Sequence, residues 1–177
     1  MDRRQKRTRN AIFQATAKLL AQKRFDSITV QEIIDEADIG RSTFYAHFDT
    51  KDDLLRGVCE NFLWQVSEVR FEADPGGVSA IEAMLIQIFA KGKEYKQSMA
   101  GLYAGASAEL FERYLKEFYR ELFRRCLPEF DPGVPEKYLL HILTDSLAQT
   151  LRWWIMEDCP YTPKEMASYY MAVMKRK

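Results

Sequence analysis

Between positions 41 and 47 the chain places a guanidinium, three hydroxyls and an imidazole: Arg41, Ser42, Thr43, Tyr45 and His47. Phe44 and Phe48 are interleaved with them four residues apart, so on a helix the two rings face a core and the five polar groups face away. Donors and hydroxyls along one exposed helical face suit the edges and phosphates of nucleic acid. Catalysis would need partners for His47, and the second histidine, His141, is far along the chain. HExxH, paired CxxC and glycine-rich phosphate loops are absent, so metal hydrolysis and nucleotide binding have no support. No enzyme activity, cofactor or metal is expected.

A helix this short does not stand alone and must be held by its neighbours. Thr29 and Glu32 have the spacing of a capping box, and Val30, Ile33, Ile34 and Ala37 form an inward stripe behind them. Asp38-Ile39-Gly40 interrupts that helix, with Gly40 expected to supply backbone freedom at the turn or cap and Ile39 the turn's apolar anchor. Two short helices and a tight turn read as helix-turn-helix. Upstream, Ile12, Phe13, Thr16, Ala17, Leu19 and Leu20 mark a helix over residues 7–23, and Phe25 and Ile28 plug the link that follows. Met1 to Arg9 carries five basic residues (Arg3, Arg4, Lys6, Arg7, Arg9) against one acidic residue (Asp2), a basic arm suited to phosphates. Downstream, Thr50 and Asp53 repeat the capping signal, and Leu54, Leu55, Val58, Cys59, Phe62, Val66 and Val69 carry a long helix out of the head.

Asp74-Pro75-Gly76-Gly77 breaks the chain. Helical patterns then follow at Ile81 to Phe89, ending near Gly92; as a short helix and bend over Tyr95 to Gly105; and at Leu110 to Phe123, ending at Pro128. Tyr138 to Met156 is apolar on more than one face, with Pro135 expected at its first position. Thr162-Pro163-Lys164-Glu165 opens the last helix. No strand-period alternation is bounded by hairpin turns. The expected architecture is therefore all-α, with about nine helices: an N-terminal three-helix head over residues 1–49, joined by a long helix to a helical body over 50–177.

A net charge of zero argues against indiscriminate coating of nucleic acid. No run reaches the ~18 apolar residues of a membrane span, and the start is charged where an export signal is apolar. These features predict a cytoplasmic protein with no membrane partner. Cys59, Cys126 and Cys159 are odd in number, widely spaced and set in helical patterns, which predicts reduced core thiols.

The run Ala37-Asp38-Ile39-Gly40-Arg41-Ser42-Thr43-Phe44-Tyr45-Ala46-His47-Phe48, followed by Lys51, Asp53 and Leu54, resembles the DNA-binding head of the TetR family of transcriptional regulators. The resemblance covers about the first third of the chain and implies a sequence-specific regulator, most simply a repressor. Gly40 and Ser42 depart from the family pattern, where a hydroxyl residue more often caps the second helix and a small residue often follows. On this reading Thr29, Tyr45, His47 and Lys51 meet phosphates of a double-stranded operator, and Arg3, Arg4 and Lys6 add salt-sensitive affinity. Arg41, Ser42 and Thr43 reach base edges.

One head reads few base pairs, so a homodimer on two half-sites is expected. Leu147, Leu151, Trp154, Ile155, Met166, Tyr169, Tyr170 and Val173 are its expected interface. An inducer pocket for a small molecule is expected among Phe89, Met99, Tyr103, Phe111, Tyr114, Phe118 and Trp153, with His141 and Gln149 orienting the ligand. The alternative is a body that answers to a partner protein.

Overall fold

The computed structural model describes residues 3–67, 80–126 and 133–174. Among them lie nine α-helices and no strand: α1 (Arg3–Leu20), α2 (Val30–Glu36), α3 (Arg41–Tyr45), α4 (Lys51–Ser67), α5 (Ala80–Glu94), α6 (Lys96–Tyr103), α7 (Ala108–Cys126), α8 (Glu136–Met156) and α9 (Pro163–Met174). A 3-10 turn, Phe25–Ser27, sits between α1 and α2. The break at Asp74 to Gly77, the start of the one at Pro128, and the side chains of Val66, Val69 and Cys126 lie outside the described residues.

Two compact units divide the chain, and neither is continuous in sequence. The first comprises Met1–Asn61 with Tyr95–Phe111. Its floor is α1, which buries Ile12, Phe13, Ala15, Thr16, Leu19 and Leu20. The hydroxyl of Thr16 is the one polar group in that set, and it donates to the Ile12 carbonyl at 2.7 Å, which removes the cost of burying it. Across α1 lies α6. Ser98 donates its hydroxyl to the Ala17 carbonyl at 2.8 Å, and Gly101 sits where a Cβ would collide with the carbonyl oxygen of Leu20. The missing side chain lets α6 approach the end of α1 at backbone distance.

The helix-turn-helix follows. At α2 the capping box is complete: the Thr29 hydroxyl accepts from the Glu32 amide at 3.2 Å, and the Glu32 carboxylate accepts from the Thr29 amide at 2.8 Å. Of the two places expected for Gly40, the turn or the cap, it takes the cap. Asp38, not Gly40, takes the left-handed backbone, with φ 51°. Its amide bonds to Asp35 O and that of Ile39 to Ile34 O, the paired pattern that closes a helix with a left-handed residue. Gly40 is extended, with φ −77° and ψ 153°, and is the N-cap of α3, where its carbonyl accepts from Thr43 and Phe44. Periodicity located the break but could not say which residue bends, because Asp tolerates this conformation better than most side chains. Thr50 and Asp53 cap α4 as expected, amide to carboxylate at 3.0 Å and amide to hydroxyl at 3.1 Å. Cys59 on α4 is buried, and burial pushes its thiol well above the usual cysteine range, so it is unreactive.

The second unit comprises Phe62–Glu94 and Glu112–Lys177. Here α5 buries Ile81, Met84, Leu85, Ile88 and Phe89 against α8 and α9. Phe89 meets Trp154 edge to face at 5.3 Å, and Gly92 leaves room for Leu151, whose Cδ1 would lie 2.9 Å from an added Cβ. The indole of Trp154 donates to the Tyr161 carbonyl at 3.1 Å, which ties the end of α8 to the link before α9. Tyr170 on α9 donates its hydroxyl to the Leu143 carbonyl at 2.7 Å. α7 runs antiparallel to α8: Glu112 accepts from Gln149 at 3.0 Å and Arg152 at 2.6 Å, and Lys116 pairs with Asp145 at 3.3 Å. Thr162 and Glu165 cap α9 with Pro163 in its first turn, whereas Pro135 is the N-cap of α8 and not its first helical residue.

Candidate nucleic-acid interface

α3 is five residues long and contributes one fully buried side chain, Phe44. Phe44 and Phe48 lie 6.0 Å apart in the core of the first unit, and Phe48 meets Phe13 of α1 at 5.8 Å. This aromatic anchor fixes the rotation of α3 and therefore which groups it presents. Arg41, Ser42 and Tyr45 are exposed, while Thr43 and His47 are half-buried. The Arg41 guanidinium lies 5.8 Å from the Tyr45 ring, a cation–π contact along the outer face, and it makes no ion pair among the described residues. A cation with no carboxylate to neutralise it, on the first turn of a helix, retains its donors for an outside acceptor.

On α1, Arg3, Arg4 and Lys6 are exposed. Arg3, Lys6 and Arg7 line one recess of about 430 Å³ with Asn10, Ala11 and Gln14. Cations along a helix edge beside amide side chains form a positive track of the kind that phosphates occupy.

Two residues expected to touch phosphate have partners within the fold. The Thr29 hydroxyl is taken up by Glu32, which also accepts from Lys23. Those bonds, first the one from Lys23, hold the Glu32 carboxyl down at about 2, so the start of α2 already has its own anion. The Lys51 ammonium points into the molecule. It donates to the carbonyls of Ile28 at 2.6 Å and Phe25 at 2.9 Å, with Asp26 O at 3.5 Å, and sits 4.7 Å from the Phe25 ring. Spacing alone identifies a lysine at the start of α4 but cannot show that the carbonyls of the 3-10 turn converge on it.

The 3-10 turn is gripped from a second side. Asp26 accepts from the hydroxyl and amide of Ser107, and the hydroxyl bond is the main reason its carboxyl lies below the usual range. This contact leaves no signal in the sequence, because 81 residues separate the partners and nothing periodic links them.

The expected interface and pocket residues divide in the same physical way. Leu147, Leu151, Trp154, Ile155, Met166 and Tyr170 are buried within the second unit, whereas Tyr169 and Val173 are 49% and 69% exposed. Of the pocket set, Met99, Tyr103 and Phe111 belong to the first unit, where Tyr103 and Phe111 meet edge to face at 5.0 Å. Phe89, Tyr114, Phe118, His141, Gln149 and Trp153 belong to the second. There Phe89 is core, Tyr114 and Phe118 are half-buried, and His141, Gln149 and Trp153 face outward. Apolar periodicity reports a buried face without saying what buries it.

Comparison with known proteins gives this geometry its context. Residues 12–58 match the family model for bacterial regulatory proteins of the tetR family, and residues 79–176 match that for the transcriptional regulator C-terminal region. A TetR transcriptional regulator from Streptococcus agalactiae 2603V is 28% identical, with a TM-score of 0.67 over 99% of this chain and 97% of that one. FadR from Bacillus subtilis, solved in complex with stearoyl-CoA, shares the fold at 17% identity, with a TM-score of 0.61 over 93% of this chain and 96% of that one. The uncharacterized HTH-type transcriptional regulator YerO of Bacillus subtilis (strain 168) is 31% identical over 87 residues, which span 48% of this chain but 30% of that relative. A capped helix-turn-helix with its polar face outward, an all-helical remainder and two family models that together take in most of the sequence lead to one assignment: the chain belongs to the TetR family of transcriptional regulators.

Proposed function

We propose that the protein is a homodimeric, sequence-specific repressor that a small molecule releases from its operator, with residues 1–49 reading DNA and 50–177 carrying dimer and ligand functions. The observation that carries the DNA-reading part is the outward face of α3, where Arg41, Ser42 and Tyr45 are exposed over buried Phe44. Arg41 is assigned to the two acceptors of a guanine, Ser42 and Thr43 to neighbouring base edges, and Tyr45 and His47 to flanking phosphates. Arg3, Arg4 and Lys6 supply the salt-dependent share of affinity. Thr29 and Lys51 support this surface, the first by capping α2 and the second by holding the 3-10 turn.

Dimerisation is supported by what α8 and α9 leave uncovered. Trp153, Met156, Tyr169 and Val173 are 47%, 54%, 49% and 69% exposed, and Tyr161 bridges Trp153 and Tyr169 in a ring ladder with centroids 6.4 and 5.5 Å apart. Large apolar side chains left exposed on adjacent helices suit a second copy of the same surface. Ligand control is supported by the acyl-CoA bound to the FadR relative and by the Thr144 hydroxyl, which is fully buried on α8 without a hydrogen-bond partner among the described residues. A polar group left this way in an apolar core is a point at which a ligand gains a bond.

Selection of bound duplexes from a random DNA pool tests the reading. The expected product is a palindrome with half-sites about one helical turn apart; recovery of unenriched sequences would refute it.

A further inference from the structure

Arg9 belongs by sequence to the basic arm, yet its surroundings differ from those of Arg3 and Arg4. Its guanidinium lies 5.4 Å from the Phe13 ring and 5.2 Å from the Phe48 ring, and it reaches Glu60 of α4 at 3.4 Å. The side chain is 30% exposed. A cation held between two ring faces and a carboxylate is fixed in direction on three sides. The fourth side is Gly57, an interior residue of α4. A Cβ there would come within 2.8 Å of Phe48 Cε1 and 3.2 Å of both the Arg9 guanidinium and Phe13 Cε1. Glycine inside a helix is unfavourable relative to alanine, so its presence here has a packing reason.

We propose that Arg9 is a positioning residue for base reading and not a phosphate ligand: it locks Phe48, and with it the C-terminal end of the recognition helix α3, against α1 and α4. The inference rests on α3 being the reading helix. Phe44 and Phe48 are the anchors of a five-residue helix with little rigidity of its own, so movement of Phe48 tilts Arg41 and Ser42 away from the groove. Arg9 also sets the direction in which α1 carries Arg3, Lys6 and Arg7 relative to α3.

The experiment compares the full-length parent with Arg9→Met, Arg9→Lys and Gly57→Ala, at a temperature where circular dichroism shows each folded. The probes are a fluorescein-labelled duplex recovered by selection from a random pool and a scrambled duplex of equal length, titrated across potassium chloride concentrations. Arg9→Met is expected to lower the ratio of selected to scrambled affinity roughly tenfold, about the cost of one mismatched base pair, while leaving the salt slope on the scrambled duplex unchanged. Gly57→Ala, which removes no charge, is expected to lower the same ratio through displacement of the stack, and Arg9→Lys is expected to restore most of it. A phosphate ligand would behave otherwise. If Arg9→Met reduces the salt slope by about 0.9 and Gly57→Ala binds like the parent, the proposal is overturned. An unchanged ratio in both variants would also overturn it. Failure of the parent to prefer any selected duplex would instead refute the proposed DNA-reading function on which this rests.

Discussion

Replacing Lys51 with methionine separates two roles that look identical in sequence. In the structure its ammonium donates to Ile28 O at 2.6 Å and Phe25 O at 2.9 Å and lies 4.7 Å from the Phe25 ring. Burial pulls its pKa below the usual lysine value, as expected of an ammonium partly withdrawn from water. A hydrogen bond to a charged group contributes about 1.5–3 kcal/mol, and a cation–π contact about 0.5–1 kcal/mol at a partly exposed site. Lys51 is half-buried, so water replaces part of what is lost, and a net cost of about 2–3 kcal/mol follows for Lys51→Met. At roughly 2–4 °C per kcal/mol for a chain of this size, that lowers the melting temperature by about 4–12 °C. The effect on DNA is the opposite of a phosphate ligand's. Below the transition the variant should keep the parent's slope of log affinity against log salt, since no phosphate loses its cation. Thermal unfolding by circular dichroism and fluorescence anisotropy across a salt series measure both quantities. A melting temperature within about 1 °C of the parent, near what an exposed substitution gives, together with a slope smaller by about 0.9, would refute the internal role.

Other parts of the structure make equally definite statements. The Glu32 carboxyl is held down at about 2, from an ordinary 4.5, chiefly by the hydrogen bond from Lys23 and then by the Thr29 amide. Its stabilising share is therefore present above pH 4.5 and disappears as pH falls through about 2. Acid titration should show Glu32→Gln losing less stability than the parent across that window; parallel curves would contradict the assignment. In α6, Gly101→Ala brings a Cβ against the Leu20 carbonyl and within 3.1 Å of Lys23 O. It should destabilise by roughly 1–3 kcal/mol, although alanine is ordinarily the better helix residue; stabilisation in urea unfolding would show that α6 does not lie on α1. On α8 and α9, the double change Trp153→Glu, Tyr169→Glu should yield folded monomers in sedimentation, whereas Trp154→Glu should prevent folding, since it buries a charge at a fully enclosed site. Retained dimers in the double variant would move the interface elsewhere.

Local signals carried most of the architecture. Capping boxes at Thr29, Thr50 and Thr162, and stripes such as Ile33–Ile34 or Leu54–Leu55, depend on neighbours three or four residues away, so helix positions were readable from spacing. The outward face of α3 was readable for the same reason, because Phe44 and Phe48 orient it. What spacing did not carry was the partner at long range. Nothing in a linear pattern brings Ser107 to Asp26, the 3-10 carbonyls to Lys51, or Glu60 and Phe48 to Arg9, and each of these decides whether a charged residue faces solvent or interior. The same limit explains the helical pair α8–α9, where Trp154 and Tyr170, both expected at the interface, are buried at home, and Trp153, expected inside a pocket, is half exposed.

The central claim is that the first turn of α3 reads base edges, and Arg41 tests it most directly. Selection from a random pool with the parent and with Arg41→Ala, followed by affinities for the parent's selected duplex and its single-base variants, measures discrimination position by position. The account predicts that Arg41→Ala loses about 1–3 kcal/mol of discrimination at one base pair per half-site while the remaining positions keep their preference. If Arg41→Ala selects the same sequence with the same discrimination at every position, the reading face has been misassigned and the account of α3 fails.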